Sequence, residues 1–452
     1  MIASPPRWDN KGLFNLIWPL VIEQLLAVTM GAADTIMVSS VGEHAVSGVN
    51  IVDNINNLLV IAFMAMATGG AVVVSQYIGR RDYNNANLAS RQLYYTTGFI
   101  SLFIMAIAVF LREPIVTLLY GKIDTDVMDS ASSYFLITAF SYPMLALYNA
   151  CAALFRASGN SRITMRIALL VNILNIGGNA LFIFGLNMGA AGAALSTLVC
   201  RTTAAGILTL FLIFGKRNLI SLAGLRKIVF VPHMIRNILN VGIPSGIENS
   251  MFMVGRLLTQ RIFAVFGTVA LSANAISSVI NSFSFMPGSA YSIAMLTIVG
   301  QCVGAKDYEG AKHYTAKLMK LAYLTIFVMN LCVYVFMKPL TGMFNLSAEA
   351  QALSMSFLRV HCISMVIGWG MSFAMPNALR AAGDVRYVLW VGTISMWVVR
   401  VSAAYLLTFV FGLGPIGVWL AMGLDFISRG SFFLSRWLSG KWKNKKVIED
   451  PE

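Results

Sequence analysis

Twelve apolar stretches, each long enough to cross a bilayer as a helix, follow one another along this chain: residues 13–40, 45–79, 91–111, 129–155, 162–186, 190–214, 236–266, 270–304, 316–337, 350–380, 386–411 and 415–438. Crossing ~30 Å of hydrocarbon takes about 20 helical residues. In that solvent every backbone N–H and C=O must be satisfied internally, and no period-2 alternation points to a barrel, so the pattern predicts an all-α integral membrane protein. Composition agrees, with 58% of the 452 residues hydrophobic and 12% charged, too few ionisable groups to cover a soluble surface. The opening "MIASPPRWDNKG" has no small-residue cleavage site behind a short apolar core, so no removable signal peptide is expected. Cys151, Cys200, Cys302, Cys332 and Cys362 all fall in apolar stretches without paired spacing and are read as packing residues rather than disulfides or metal ligands.

The net charge of +14 is explained by where the bases sit. Arg7, Lys11, Arg80, Arg81, Arg156, Arg162, Arg166, Lys216, Arg217, Arg226, Lys227, Lys306, Lys312, Arg380, Arg386 and "KWKNKK" (441–446) occupy alternate loops and the two tails, whereas the intervening loops, such as "GEHA" (42–45) and "GLNMG" (185–189), are short or acidic. The positive-inside rule then predicts that both termini are cytoplasmic in a multi-pass protein of the cell membrane. The same bases can touch anionic lipid, and nucleic acid is not an expected partner.

Adding 225 to a residue number carries Pro19 to Pro244, Glu23 to Glu248, Ser47 to Ser272, Asn56 to Asn281, Gln76 to Gln301, Gly79 to Gly304, Asp82 to Asp307 and Tyr83 to Tyr308 without a gap. Farther on, "LFRASGNSR" (154–162) is echoed by "ALRAAGDVR" (378–386). Six helices are therefore repeated: an N-terminal lobe (1–214), a basic linker (215–237) and a C-terminal lobe (238–452). Because six is even, the repeats are parallel, with a pseudo-two-fold axis along the membrane normal and a cleft expected between the lobes, the plan of secondary transporters. A receptor or purely structural membrane protein would not need the duplication. No phosphate-cradling loop, zinc helix or nucleophile elbow is present, and the four histidines are scattered, so neither an enzyme nor an ATP-driven pump is expected.

"PLVIEQ" (19–24) and "GAADTIMV" (31–38) in the first span, "SQYIGRRD" (75–82) and "GQCVGAKD" (300–307), and "LFRASGN" (154–160) and "ALRAAGD" (378–384), in this order and spacing, resemble the multidrug and toxic compound extrusion (MATE) family over essentially the full chain. The resemblance implies export of organic cations, drugs and metabolites in antiport with protons or sodium ions by alternating access. The expected partners are small cationic molecules and membrane lipids, acting on a monomer without any cofactor. A lipid-linked oligosaccharide flippase of the same superfamily is one alternative, kept open by Arg256 and Arg400 as candidate phosphate contacts, and a non-transporting membrane receptor or structural protein is the other.

Asp34 is the residue most in need of a function. An ionised Asp near the bilayer centre costs about 2.5–3.5 kcal/mol on insertion scales, so it faces a bundle interior or an aqueous cavity. It lies fifteen residues after Pro19, the spacing of the resembling family's coupling aspartate. In the fifth span, Asn172, Asn175 and Asn179 fall within eight residues, the last two on one helical face. They read either as interhelical glue or as part of a cation site. The resemblance implies the second for Asn175 and Asn179, with Thr197 of the sixth span. The family commonly carries aspartate where Asn179 stands, and one carboxylate fewer disfavours sodium, which wants several oxygen ligands including charge, so the proton is the expected coupling ion.

Pro19 is either a hinge or a proline tolerated in the first turns of its helix. Glu23 and Glu248, near one end of their spans, either attract a cationic substrate or pair with bases at the membrane edge, and Asp53 is a weaker candidate of the same kind. The C-terminal lobe carries Arg256, Arg261, Arg400 and Asp425 within its spans. Arg400 is expected to form a structural ion pair with Asp425, or with Glu248. Some resembling proteins bind sodium through two C-lobe carboxylates, and Phe252 and Trp369 stand at those positions here, so no metal site is expected in this lobe.

Overall fold

The computed structural model describes residues 8–41, 43–121, 125–215, 218–225, 229–344 and 346–448. Of the residues singled out above, Arg7, Gly42, Lys216, Arg217, Arg226 and Lys227 lie outside these, as do the side chains of Glu43, His44 and Ala45. Helix is the regular secondary structure of the described residues, without a β-strand among them. They divide into two compact units, Trp8–Gly246 and Ile247–Glu452.

The first unit contains α1 (Asn10–Ser39), α2 (Glu43–Gly79), α3 (Tyr83–Phe110), a short α4 (Arg112–Tyr120), α5 (Thr125–Phe140), α6 (Tyr142–Ala157), α7 (Ser161–Asn179) with its π-helical continuation Ala180–Gly185, and α8 (Gly189–Phe214). The chain passes from one unit to the next within α9 (Pro232–Val265). The second unit continues with α10 (Gly267–Gly304), α11 (Tyr308–Val335), a short α12 (Met337–Gly342) and α13 (Ala348–Ser364). A π-helical segment, Met365–Ala374, leads into α14 (Met375–Ala381). Then come α15 (Val385–Ile394), π-helical Ser395–Val401, α16 (Ser402–Tyr405), π-helical Leu406–Val410 and α17 (Ile416–Leu438).

Among the described residues nine helical stretches are long and apolar enough to cross a membrane, and α5 with α6, bent by 45° at their junction, makes a tenth. The other two predicted spans are α9 and α17, whose ionisable residues, among them Glu248, Arg256, Asp425 and Arg429, lower their hydropathy. Such residues are tolerated at membrane depth where they face protein. The protein is thus a multi-pass membrane protein of twelve spans.

The repeat extends to local geometry. α3 and α11 begin and end 225 residues apart, and each is capped by an aspartate: Asp82 accepts from the Asn85 N–H at 3.1 Å, Asp307 from the Gly310 N–H at 2.8 Å. The residues just before these caps, Arg81 and Lys306, both adopt left-handed backbone, with φ of 63° and 58°, a strained choice for non-glycine residues made twice at equivalent places.

Several boundaries differ from the hydropathy reading. α3 and α11 start eight residues before the predicted spans because the capping aspartates, not the apolar onset, set the first turn. The predicted span 129–155 is two helices, broken at Ser141 with Pro143 at the start of the second. The stretch between the predicted spans 91–111 and 129–155 contains α4 and the start of α5.

Within the first unit α1 lies along α7, and α2 packs on α3, α5 and α6. α6 approaches its neighbours through small residues, burying Ala146, Ala150, Cys151, Ala152, Ala153 and Ala157. Packing of this kind replaces the hydrophobic driving force that lipid removes. The outward surfaces carry Phe99, Phe103, Phe211, Trp390 and Val398, a solvation suited to acyl chains. The segment after α8 is held by α3: the Ser221 N–H donates to Asn87 Oδ1 at 2.7 Å, the Tyr95 hydroxyl to the Leu225 carbonyl at 2.9 Å, and Gln92 bonds both the Val229 carbonyl and the Val231 N–H.

Candidate functional site

Asp34 lies on α1 more than six turns from its start, half-buried, on the face that meets α7. The Asn179 amide, at the last residue of α7 before the π-helical turn, donates from Nδ2 to Asp34 Oδ1 at 2.5 Å. Asn175, one turn earlier, also reaches the carboxylate. Both asparagines are buried, and the Oδ1 of each has no hydrogen-bond partner. A buried amide oxygen without a donor costs about 1–3 kcal/mol and points to a group that completes it. Asn172, by contrast, donates to the Ala168 carbonyl of its own helix at 2.9 Å and stands outside the cluster.

α8 closes this side through Ser196, whose hydroxyl donates to the Asn175 carbonyl at 3.1 Å. Gly178 makes the approach possible, since a Cβ there would collide with the Ser196 side chain. Thr197, the residue singled out from the sequence, is the next residue on α8 and half-buried.

A second carboxylate, Asp53 of α2, is within electrostatic reach of Asp34. Its Oδ1 accepts from the Tyr134 hydroxyl at 3.1 Å and from Asn56 Nδ2 at 3.2 Å, and the Tyr142 hydroxyl donates to Asn56 Oδ1 at 2.7 Å. The cation facing this pair is Arg201 of α8, which donates from Nη1 to Ser141 Oγ at 2.6 Å and lies within electrostatic reach of both aspartates. The sequence reading did not single out Arg201. Its signal was an ionisable residue in the middle of "STLVCRTTAAG", which by itself marks a site inside a membrane.

Glu23 is spatially separate in function from this group. Its Oε1 meets Arg156 Nη1 at 2.7 Å, and its Oε2 accepts from the Thr164 hydroxyl at 2.7 Å. Its repeat mate Glu248 forms the same bond with Arg380, 224 residues after Arg156. Of the two readings for these glutamates, pairing is what the geometry shows, and their partners Arg156 and Arg380, expected as loop bases, sit in the last turns of α6 and α14. Pro19 is buried inside an α1 that continues unbroken to Ser39. Its missing N–H leaves the Asn15 carbonyl without its helical donor. The Ser161 hydroxyl from the start of α7 lies beside that turn, 2.6 Å from the Leu16 carbonyl and 3.5 Å from that of Asn15.

In the second unit Arg400 Nη1 and Asp425 Oδ2 are 4.0 Å apart, an ion pair without a hydrogen bond. Asp425 takes its hydrogen bond from Ser395 Oγ at 2.6 Å. Arg256 and Arg261 are exposed on α9. Among the described residues no group of three or more His, Cys, Asp or Glu side chains is placed to hold a metal ion.

The MatE family model matches residues 19–181 and again 244–406, two matches displaced by the same 225 residues as the internal repeat. An uncharacterised transporter of Bacillus subtilis, YisQ, is 31% identical over 446 residues, covering 97% of this chain and 96% of its own. A probable multidrug resistance protein NorM of Thermotoga maritima is 28% identical over 448 residues, covering 97% and 94%. Among solved structures, a MATE protein in the straight conformation superposes with a TM-score of 0.90 at 17% identity over 98% of both chains. A transporter of the MOP superfamily from Pyrococcus furiosus, described as having a binding pocket of reverse polarity, gives 0.89 at 18% over 98% of both. Twelve spans in two repeats, a shared helical fold and two family matches in register together establish that this chain belongs to the MATE family of multidrug efflux transporters.

Proposed function

We propose that the protein exports organic cations by alternating access, driven by protons that enter through Asp34. The single observation that carries this reading is the Asp34–Asn179 contact beside two buried amide oxygens without donors. An ionised Asp34 accepts from the Asn179 amide. A protonated one has an O–H to donate, and the orphaned Oδ1 of Asn175 or Asn179 is the acceptor that each amide can turn toward it. The carboxyl group can therefore keep a hydrogen bond to the asparagine pair in either protonation state. Sodium would need several oxygens converging on one point, whereas Asn179 presents its nitrogen to the carboxylate.

Coupling then requires the proton affinity of Asp34 to differ between the inward-open and outward-open states. Each pKa unit of difference biases that equilibrium by about 1.4 kcal/mol. Asp53 and Arg201 set the local charge, Thr197 borders the same helix pair, and Pro19 provides the point at which α1 changes shape. The names of the NorM relatives, multidrug resistance proteins, support a broad range of cargo. The basic loops support cytoplasmic termini, with the protein in the cell membrane acting as a monomer. The test is efflux of a cationic dye from proteoliposomes under separately imposed pH and sodium gradients. Dye movement driven by the pH gradient alone is expected, and movement driven only by sodium would refute proton coupling.

A further inference from the structure

The second unit holds a cluster of buried charge that proton coupling at Asp34 does not use. Arg400, between α15 and α16, and Arg429, on α17, are 7% and 3% exposed, and the carboxylate among them, Asp425, is 0% exposed. Both guanidinium groups lie over one ring, Phe252 of α9, at 5.4 and 5.2 Å from its centroid, and that of Arg429 also lies 4.6 Å from the Phe373 ring. Arg400 Nε and Arg429 Nε and Nη2 are buried without an acceptor. Arg256, on the same helix as Phe252, adds a third positive charge within electrostatic reach of Arg400.

Two buried arginines against one buried carboxylate leave a positive charge in excess and at least three nitrogens without partners. Asp425 does not resolve this: its Oδ1 is taken by Ser395, and its Oδ2, itself without a hydrogen-bond partner, stands 4.0 Å from Arg400 Nη1, too far for a hydrogen bond. Stacking on phenylalanine offsets only part of the desolvation of a guanidinium. An anion placed between the two arginines would supply the missing charge and the missing acceptors together.

The surroundings narrow the kind of anion. Guanidinium groups match the planar, two-oxygen face of a carboxylate. Phe252 and Phe373 are only half-buried, so part of each ring remains open to a flat molecule, and Trp369 stacks on Phe373 at 5.7 Å. Trp369, Phe373, Ser395 and Arg400 all lie on the π-helical segments Met365–Ala374 and Ser395–Val401, a local geometry that recurs at functional sites.

We propose that Arg400 and Arg429 bind the carboxylate of an aromatic organic acid or zwitterion, with Phe252 and Phe373 receiving its flat body, so that the cargo of this transporter includes carboxylate-bearing molecules. That such molecules are cargo rests on the efflux reading; that they bind here does not.

The experiment is therefore equilibrium binding without any gradient, so that its failure and a failure of proton-driven efflux are separate results. The full-length protein in phosphatidylcholine nanodiscs is titrated with tritiated 1-naphthoate and, as the cationic match, 1-naphthylmethylammonium. Saturable naphthoate binding is expected, weakened at least about tenfold by Arg429→Gln, the loss of a charge-assisted pair. Asp425→Asn removes the competing carboxylate and is expected to tighten naphthoate binding several-fold while leaving the ammonium compound unimproved, a gain that misfolding cannot imitate. Absence of saturable naphthoate binding by the wild type, or an affinity not increased by Asp425→Asn, would overturn the proposal. Displacement of naphthoate by adding phosphatidylglycerol to the nanodisc would overturn it too, assigning the arginines to a lipid headgroup.

Discussion

Asn179 donates to Asp34 across 145 residues of sequence, joining the end of α7 to the last two turns of α1 at the place where the family resemblance implies a second carboxylate. The substitution changes what the site can hold. Two carboxylates this close repel, and share a proton or a metal ion. An amide beside a carboxylate donates to it when charged and accepts from it when protonated, so the pair keeps its contact while one proton comes and goes.

The paired glutamates give the most direct test of packing. Glu23→Ala removes the carboxylate that Arg156 meets at 2.7 Å and the acceptor of Thr164, and a cost of about 3 kcal/mol is expected in unfolding of the purified protein. Arg156→Ala should cost about as much, and the double variant clearly less than the two together. Strict additivity would mean that the contact carries no energy.

Two buried ion pairs of the second unit differ in closeness, and a double-mutant cycle should rank them. Glu248 and Arg380, in direct hydrogen-bond contact, are expected to couple by about 2 kcal/mol or more, and Arg400 and Asp425, 4.0 Å apart, by about 1 kcal/mol or less. The reverse order of coupling would contradict the geometry.

Helix approach through glycine makes a third expectation. A Cβ on Gly69 would fall on the Ile238 carbonyl and lie 2.9 Å from the Gly242 N, both rigid backbone in the first turns of α9. Gly69→Ala is therefore expected to lower the melting temperature by several degrees, at about 2 kcal/mol. Gly206→Ala, with nothing within 4 Å of the added methyl, should be neutral or stabilise by up to about 1 kcal/mol. Equal effects at the two sites would refute the close approach.

How much of this was legible in the sequence depended on whether the signal was local. Asp34 stood out because a lone carboxylate inside an apolar span must find a partner, and the i, i+4 spacing of Asn175 and Asn179 made α7 a candidate to supply it. The repeat was visible down to the capping aspartates, since capping is encoded within four residues. Glu23 with Arg156 was not, because its partners are 133 residues apart and no periodicity names which helices touch. The π-helical turns left no trace, as one extra residue per turn barely disturbs an apolar pattern. Arg429 was within reach, four residues beyond Asp425 on the same helix, but that spacing suggests an ion pair, whereas in the structure it lies against Phe252 and Phe373.

Orientation can be read by labelling. With the exposed Cys332 replaced by serine, a cysteine at Asp126, exposed in the first turn of α5, should react with an impermeant thiol reagent in intact cells. One at Lys445 should be protected until the cells are opened. The opposite pattern would reverse the assigned direction of transport.

Proton coupling through Asp34 is tested most directly by uphill transport in the Asp34→Asn variant. The substitution keeps the volume of the side chain and removes its titration. The variant should insert, melt within a few degrees of the wild type and still bind a cationic dye at equilibrium. In proteoliposomes with an imposed pH gradient it should fail to concentrate that dye, while the wild type does so in the same assay. Uphill dye movement by Asp34→Asn at wild-type rates would place the coupling site elsewhere and contradict the account.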